Sequence, residues 1–345
     1  MSTHRRLRFR AVVSAVLALL VGLAGCTSAA PKASQAAAPQ QLTKVRVAFN
    51  PGTALRLYAA LSADLFKKHG LDVQLVQFES GAATNAAFAS GGVDLGFAGI
   101  PGILATRLAA KNNKVIMIDN DGWKAEGLVV TPKSGITAVK DLRGKTIGTV
   151  IGTTSWVGLV QALKKEGIPQ NEVTIKNVAP GAWVPAFKNN DVDGIWGWAP
   201  LLFEMESAGG KIVATDSDYV LDPLLWQVRG DFLTQNSKAV EGFIAAYDEA
   251  SGLVDKRDPK FIATMQEKTG VSKELVEKTI SAIKPVSHKE SVSETSPYSL
   301  TSDNGLKKII DEWAAVLLEQ KILQVKPDTT GLVEGNPMKN HVAKQ

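Results

Sequence analysis

Short apolar strands alternate with helical stretches over the first third of the chain, and this order constrains the fold most. Val45-Arg46-Val47-Ala48-Phe49 is a short alternating strand, and the helical stretch after it runs to Gly70, a residue suited to a helix C-cap. Strict alternation of this kind predicts an α/β fold with a mostly parallel sheet and helices on both faces. Strands are expected at 45–49, 72–78, 93–98 and 114–119, with helices at 54–69, 81–91 and 101–112.

The second half repeats this order with different lengths. Strands are expected at 128–131, 146–150, 173–178 and 194–198, with helices at 155–167 and 182–189. Further helices near 199–208, 237–256, 258–268, 272–284 and 303–320 fill the C-terminal part. Residues 285–302 are rich in Ser, Thr and Pro, which favours an extended surface loop. No short-period repeat is present.

The N-terminus has the pattern of an export signal. Four arginines within residues 1–10 precede an apolar run at 11–24, which is short for a membrane-spanning helix. The run ends in Leu23-Ala24-Gly25-Cys26, which resembles the bacterial lipobox, in which the cysteine is lipidated. We expect a signal peptide at 1–25, a lipid on Cys26 and a flexible tether at 26–43. A plain N-terminal anchor with a chance cysteine is the alternative.

Composition excludes several classes of protein. The signal holds four of the 39 Lys and Arg residues, which leaves 35 basic against 34 acidic residues and argues against a nucleic-acid partner. Cys26 is the single cysteine, so the exported domain has no disulfide. After the signal, the histidines are His69, His288 and His341, and they are isolated in sequence. We therefore expect no metal site and no cofactor.

Four turns with small residues follow predicted strands. Ligands of such sheets bind beyond the carboxyl ends of the strands, where helix N-termini offer free N–H groups. Ordinary N-capping by Ser or Thr is the alternative at each turn. The candidates are Asn50 in the first turn, Ser80 in the second, Gly99 and Ile100 in the third, and Thr153, Thr154 and Ser155 in the fourth, which is the best anion site.

Tryptophans and one acid complete the candidate site. Six of the seven tryptophans fall between residues 123 and 226, beside turns or at strand ends. Large aromatic faces suit an aliphatic or cationic ligand, although core packing is the alternative and is expected for Trp196. Glu126 precedes an apolar strand, and its carboxylate is either a partner for a ligand ammonium or a solvated surface acid. The tryptophans taken as ligand-binding are Trp156, Trp183, Trp198 and Trp226.

From about residue 45 to 231 the chain resembles the taurine and alkanesulfonate solute-binding proteins of ABC importers. The resemblance rests on 78–82, 89–96, 126–130, Thr153-Thr154, 191–194 and Trp198-Ala199-Pro200. It also rests on Val139-Lys140-Asp141-Leu142-Arg143-Gly144-Lys145, a stretch that nitrate and thiamine-precursor binders share.

The resemblance implies a type II periplasmic-binding-protein-like fold of two lobes that close on a ligand. Two hinge crossings, near 129–131 and 227–229, would join lobe 1 (44–129 plus 229–345) to lobe 2 (130–228). The sulfonate would meet Gly99 and Thr153 to Ser155, and the amine would meet Glu126. The implied partners are a permease and its ATPase, reached by a monomeric protein at the outer face of the cytoplasmic membrane.

The sequence departs from the taurine pattern in ways that keep alternatives open. Leu224 stands where an acid is common, Asp222 lies two residues earlier, and Trp156 stands where a histidine is common. A larger amine, a betaine or an aromatic solute is therefore the alternative ligand. A ligand sensor and a pyrimidine-synthase-like enzyme are further alternatives, but the chain has no catalytic motif. Thr27 after the cysteine favours a Gram-positive-type cell surface over a periplasm.

Overall fold

The structure is a computed structural model that describes residues 41–49, 54–78 and 81–345. The predicted signal peptide, Cys26 and the predicted tether as far as residue 40 lie outside the described residues. Among the described residues, no helix combines the length and the apolar character that a membrane crossing requires.

The described chain forms two sheets flanked by helices, as the α/β prediction requires. The first sheet has the order β11-β4-β10-β3-β1-β2, and the second has the order β7-β6-β8-β5-β9. The strands are β1 (Thr43–Phe49), β2 (Leu71–Gln77), β3 (Leu95–Gly99), β4 (Asn113–Asp121), β5 (Glu126–Val130), β6 (Thr146–Thr149), β7 (Thr174–Asn177), β8 (Gly194–Trp198), β9 (Lys211–Thr215), β10 (Pro223–Arg229) and β11 (Lys284–Pro285).

Helices connect the strands and fill the C-terminal part. In the second sheet α5 packs against β5 and β8, and in the first α4 packs against β3 and β10. The helices are α1 (Leu55–Ser62), α2 (Leu65–Lys68), α3 (Gly81–Ala89), α4 (Ile100–Ala110), α5 (Thr154–Lys165), α6 (Trp183–Asn189), α7 (Leu201–Ser207), α8 (Gly230–Gln235), α9 (Ser237–Asp255), α10 (Pro259–Thr269), α11 (Lys273–Ala282), α12 (Leu306–Glu319) and α13 (Asn336–Val342).

Each sheet contains one strand that arrives from the other sheet. The pairs β1–β2, β1–β3, β6–β7 and β6–β8 are parallel, as the sequence order predicts. β10 is inserted antiparallel between β3 and β4, and β5 is inserted antiparallel between β8 and β9. These two strands follow a passage between sheets rather than a crossover helix, so nothing forces them to run parallel.

The chain passes between the sheets earlier than the sequence suggested. The passages are 122–125, between β4 and β5, and 216–222, between β9 and β10. The expected crossings near 129–131 and 227–229 fall on strand residues: Val129 pairs with Ile195 in the second sheet, and Gln227 pairs with Gly96 in the first. Because β5 and β10 are paired with neighbouring strands along their whole length, the connections between the two sheets lie before these strands and not within them.

Two local expectations differ from the structure. The single helix expected at 54–69 is divided into α1 and α2, because Asp64 adopts a left-handed conformation with φ of 52°. The segment 285–302 is not merely a surface loop, because Tyr298 is fully buried and donates from its hydroxyl to Asp121 Oδ2 at 2.7 Å.

Candidate functional site

The two sheets meet where β3 ends and α5 begins. Gly99 closes β3 and precedes α4, and Thr154 is the first residue of α5. A Cβ atom on Gly99 would lie 2.3 Å from Thr154 Cγ2, so only glycine permits this approach. The third and fourth of the predicted ligand-binding turns therefore lie against each other, one from each sheet.

Glu126 lies at the same junction, as the first residue of β5. Its side chain is buried, and Thr154 Oγ1 donates to Oε2 at 2.8 Å while Ser155 Oγ donates at 2.7 Å. Burial raises the pKa of Glu126, and the two hydroxyl hydrogen bonds oppose that rise. The N-terminus of α5 also favours negative charge at this point. The predicted anion-binding turn thus holds the protein's own carboxylate.

Two aspartates join Glu126 in a cluster that lies beside the passages between the sheets. One carboxylate oxygen each of Glu126, Asp216 and Asp222, hereafter the carboxyl cluster, lies within 4.8 Å of the others. All three side chains are buried. Neither side-chain oxygen of Asp222 accepts a hydrogen bond within the described part of the chain, and the same holds for Asp216 Oδ2. Asp216 Oδ1 accepts from Trp196 Nε1 at 2.8 Å.

The electrostatics of the carboxyl cluster favour a cation. Burial raises the pKa of Asp216 and of Asp222 well above the ordinary value, and repulsion from Glu126 raises both further. The charged groups that act most strongly on the three carboxyls are the carboxyls themselves and Asp121. Buried carboxyls without a cationic partner either retain protons or bind a positive group.

Asp121 borders the cluster but is fully hydrogen-bonded. It accepts from the Tyr298 hydroxyl and from two backbone N–H groups, of Trp123 at 2.9 Å and of Asp222 at 3.0 Å. These bonds tie the two passages between the sheets to each other and to the segment after β11. We therefore assign Asp121 to the framework of the site and not to ligand contact.

Comparison with known proteins shows which family the chain belongs to. A family model described as NMT1/THI5 like matches residues 53–282. The chain belongs to the NMT1/THI5-like family. It is 30% identical over 226 residues to the taurine-binding periplasmic protein of Escherichia coli (strain K12), an alignment that covers 64% of this chain and 67% of that protein. Several curated relatives named putative binding proteins, from Brucella, are covered over 62% of their length, which is less than two thirds.

Solved structures share the fold at lower sequence identity. The periplasmic aliphatic sulphonate binding protein SsuA from Escherichia coli superposes with a TM-score of 0.73 at 19% identity, covering 86% of this chain and 99% of that one. The desulfurization enzyme DSZB superposes with a TM-score of 0.64 at 15% identity, covering 87% and 99%. The predicted resemblance to the taurine and alkanesulfonate binding proteins and the two-sheet α/β fold are thereby confirmed.

The predicted ligand-binding tryptophans differ in burial and in position. Trp198 is partly exposed and pairs with Glu126 across β5 and β8. Trp183 is fully buried beneath it, with ring centroids 4.5 Å apart, and donates to the Val178 carbonyl. Trp226 is buried in the first sheet, where its Nε1 donates to Asp119. Trp198 therefore presents a partly exposed face at the junction and Trp183 packs against it, whereas Trp226 is a core residue.

The other candidates lie in several environments. Ile100 and Trp156 are buried, and Thr153, which is partly buried, donates from its hydroxyl to the Val150 carbonyl at 2.7 Å. Asn50 and Ser80 lie outside the described residues. The structure therefore brings together Gly99, Glu126, Thr154, Ser155 and Trp198 from the predicted set.

Sequence reasoning undervalued Asp222 and missed Asp216. Asp222 precedes the apolar strand β10 just as Glu126 begins the apolar strand β5, and this shared signal could have paired them. Leu224, where an acid was expected, is buried opposite Gly99. Nothing in the sequence brings Asp216 to the same point, because its position depends on the end of β9, a strand that the sequence did not predict.

The histidines are isolated in sequence, but two of them meet in the folded chain. His288 and His341 lie close together, with ring centroids 5.5 Å apart, and Asp248 contacts both. The contact joins α9, α13 and the segment after β11, and it depends on packing that no local sequence pattern reports.

Proposed function

We propose that this chain is the extracytoplasmic solute-binding component of an ABC importer, and that its solute carries a protonated amine together with a sulfonate. The buried carboxyl cluster at the junction of the two sheets is the observation that carries the choice of solute. An ammonium group donates three hydrogen bonds, and a cluster of three carboxyls suits it, since Asp216 and Asp222 have oxygens without a hydrogen-bond partner among the described residues. A plain alkanesulfonate would leave these carboxyls without a cationic partner.

The sulfonate end would bind at the first turn of α5 and the adjoining turn at Gly99. The free N–H groups of a helix N-terminus suit an anion, while the hydroxyls of Thr154 and Ser155 would continue to hold Glu126 in place beside the amine. Because Gly99 belongs to the first sheet and Thr154 to the second, a ligand held here contacts both. Such contact would favour a closed arrangement of the two lobes.

A larger amine or betaine is the second candidate, and the Trp183–Trp198 pair favours it. Trp198 offers a partly exposed aromatic face beside Glu126, and such faces attract alkylated ammonium groups. The two candidates differ at the nitrogen: a quaternary ammonium cannot donate hydrogen bonds to the carboxyl cluster, whereas a primary one can.

Calorimetric titration with a matched ligand series tests the proposal. Taurine, ethanesulfonate and N,N,N-trimethyltaurine share one sulfonate and differ only at the amine. We expect taurine to bind most tightly, and Glu126→Gln and Asp222→Asn to weaken it at least about tenfold, because each removes a charge-assisted hydrogen bond. Asp218→Asn, an exposed acid in the same passage, is the control and should bind normally.

The outcomes separate the two parts of the proposal. Equal binding of taurine to wild type, Glu126→Gln and Asp222→Asn would remove the carboxyl cluster from the site. Tightest binding of the trimethylated compound, lost in Trp198→Ala, would favour the second candidate. No binding by any of the three would reject the sulfonate class itself.

A transport role fits the chain better than catalysis. DSZB is an enzyme of the same fold, but Cys26, the single cysteine of this chain, lies in the predicted lipobox. The proposal places a lipid on Cys26, a monomeric domain outside the cytoplasmic membrane, and a permease with its ATPase as partners. A sensor that signals to a membrane kinase would use the same site, and neighbouring permease and ATPase genes would favour import.

A further inference from the structure

Two histidines and an aspartate from distant chain segments meet on the first-sheet side of the molecule. Asp248 lies in α9, His288 follows β11 and His341 lies in α13. One donor atom of each residue lies within 4.8 Å of the others. The Nδ1 of His288 is 3.0 Å from Asp248 Oδ1, and the Nε2 of His341 is 3.3 Å from Asp248 Oδ2.

The buried ring of His288 has no aligned hydrogen-bond partner. Its side chain is 2% exposed, and neither ring nitrogen makes a hydrogen bond within the described residues. The Asp248 oxygen is near enough to accept from Nδ1 but lies out of line with it. In a tetrahedral zinc site neighbouring donor atoms lie about 3.3 Å apart and aim at the metal rather than at each other, so short, misaligned contacts are expected there.

The chemistry of the three side chains suits a metal ion. Zinc is bound by imidazole nitrogen and by carboxylate oxygen, and the cluster offers both kinds of donor.

An ion can reach the cluster from the surface through His341 and Asp248, whose side chain is 36% exposed. The His341 side chain is 15% exposed, and a surface depression of about 250 Å³ is lined by His341, His69 and Lys344. The exposed side chain of Gln345 donates to Asp248 and contacts His341, and it is free to turn outwards when an ion enters.

We propose that Asp248, His288 and His341 form a binding site for a transition-metal ion, with Zn²⁺ as the ion that fits best. Two imidazoles and one carboxylate are a common zinc ligand set, and they leave a fourth position for water. The ion would fasten α13 and the segment after β11 to α9. The site is separate from the carboxyl cluster, so its existence does not depend on the identity of the solute.

Zinc titration of metal-stripped protein without a histidine tag tests the proposal. We expect one Zn²⁺ per chain by calorimetry, and a melting temperature that rises with Zn²⁺ concentration because only the folded state holds the site. Ca²⁺, which prefers oxygen ligands, should give no comparable rise. His341→Gln and Asp248→Asn should each weaken Zn²⁺ binding at least tenfold.

His69→Gln is the matched control. His69 lines the same depression, and its Nε2 lies 2.7 Å from Glu249 Oε1. This pair offers the same two kinds of donor atom but lies outside the proposed ligand set. Its substitution should leave Zn²⁺ affinity unchanged. His288→Gln should abolish Zn²⁺ binding. If that variant fails to fold, the His341 and Asp248 variants still test the proposed site.

Three results would overturn the proposal. The first is a wild-type melting temperature that does not change with Zn²⁺ concentration. The second is wild-type Zn²⁺ affinity in the variants of His341 and Asp248. The third is a loss of Zn²⁺ affinity in His69→Gln equal to that in His341→Gln. A response to Ca²⁺ stronger than to Zn²⁺ would also overturn it, because Ca²⁺ prefers oxygen ligands to imidazole nitrogen.

Discussion

At the scale of single residues, the role proposed for Asp222 conflicts with the stability of the unliganded protein. Its carboxyl is buried beside Glu126 and Asp216, and its oxygens have no donor within the described residues. Such a group is costly to ionise, yet it is useful to a cationic ligand. Binding sites commonly retain groups that the unliganded fold would be more stable without.

Replacement of Asp222 by asparagine should therefore stabilise the free protein at neutral pH. Because burial raises the pKa of Asp222, the native state holds a proton that the unfolded chain releases near pH 4. This retained proton makes its whole contribution to the free energy of unfolding below that pH, and the contribution falls as pH rises towards the native pKa of Asp222. Asp222→Asn removes this pH-dependent loss. We therefore expect its free energy of unfolding to exceed that of wild type by at least about 1 kcal/mol at pH 8, with a difference that shrinks towards pH 5.

Urea unfolding at several pH values between 5 and 8 measures the difference. Asp218→Asn, in the same passage but exposed, should show no pH-dependent gain. A variant at Asp222 that is less stable than wild type at pH 8 would mean that its ionised carboxylate stabilises the free protein.

At the scale of elements, α5 contains a glycine that packing requires. A Cβ on Gly158 would lie 2.4 Å from Asp216 Oδ1, the atom that accepts from Trp196 Nε1. Alanine would gain up to about 1 kcal/mol in helix propensity but would displace that carboxylate. We expect Gly158→Ala to destabilise the protein by about 1 to 3 kcal/mol, as overpacked sites do.

Gly252 in α9 is the matched control for that substitution. It is also a glycine inside a helix, but nothing lies within 4 Å of the position that a Cβ atom would occupy there. Gly252→Ala should therefore stabilise the protein by up to about 1 kcal/mol, the propensity difference alone. If both variants gain stability in urea unfolding, the tight contact between α5 and Asp216 does not exist in solution.

The elements also show what the sequence determines and what it leaves to packing. β1, β3 and β8 could be predicted because apolar residues and flanking turns are local signals. The placement of β5 and β10 could not, because the choice of sheet depends on partners such as Ile195 and Gly96 that are distant in sequence. Glu126 was found from its position before a strand, whereas Asp216 and the Asp248–His288–His341 contact arise only from the assembled fold.

At the scale of the whole molecule, the predicted anchor would keep the proposed solute carrier beside its importer. The predicted tether of about 17 residues would reach roughly 20–25 Å by flexible-chain scaling, which would let the domain turn onto the proposed permease. A lipid on Cys26 would confine this search to the membrane surface. Solute captured at the carboxyl cluster would then be delivered where the permease lies, without loss of the carrier to the medium.

Replacement of Cys26 by serine tests this arrangement. The basic and apolar parts of the signal remain intact, so export should continue, but the protein should leave the membrane fraction. Fractionation with an antibody measures this, and Thr27→Ala is the control that should remain membrane-bound. Purified Cys26→Ser protein should bind solute as wild type does, because the anchor lies far in sequence from Glu126 and Asp222. A Cys26→Ser protein that stays in the membrane fraction would favour a plain N-terminal anchor at residues 11–24.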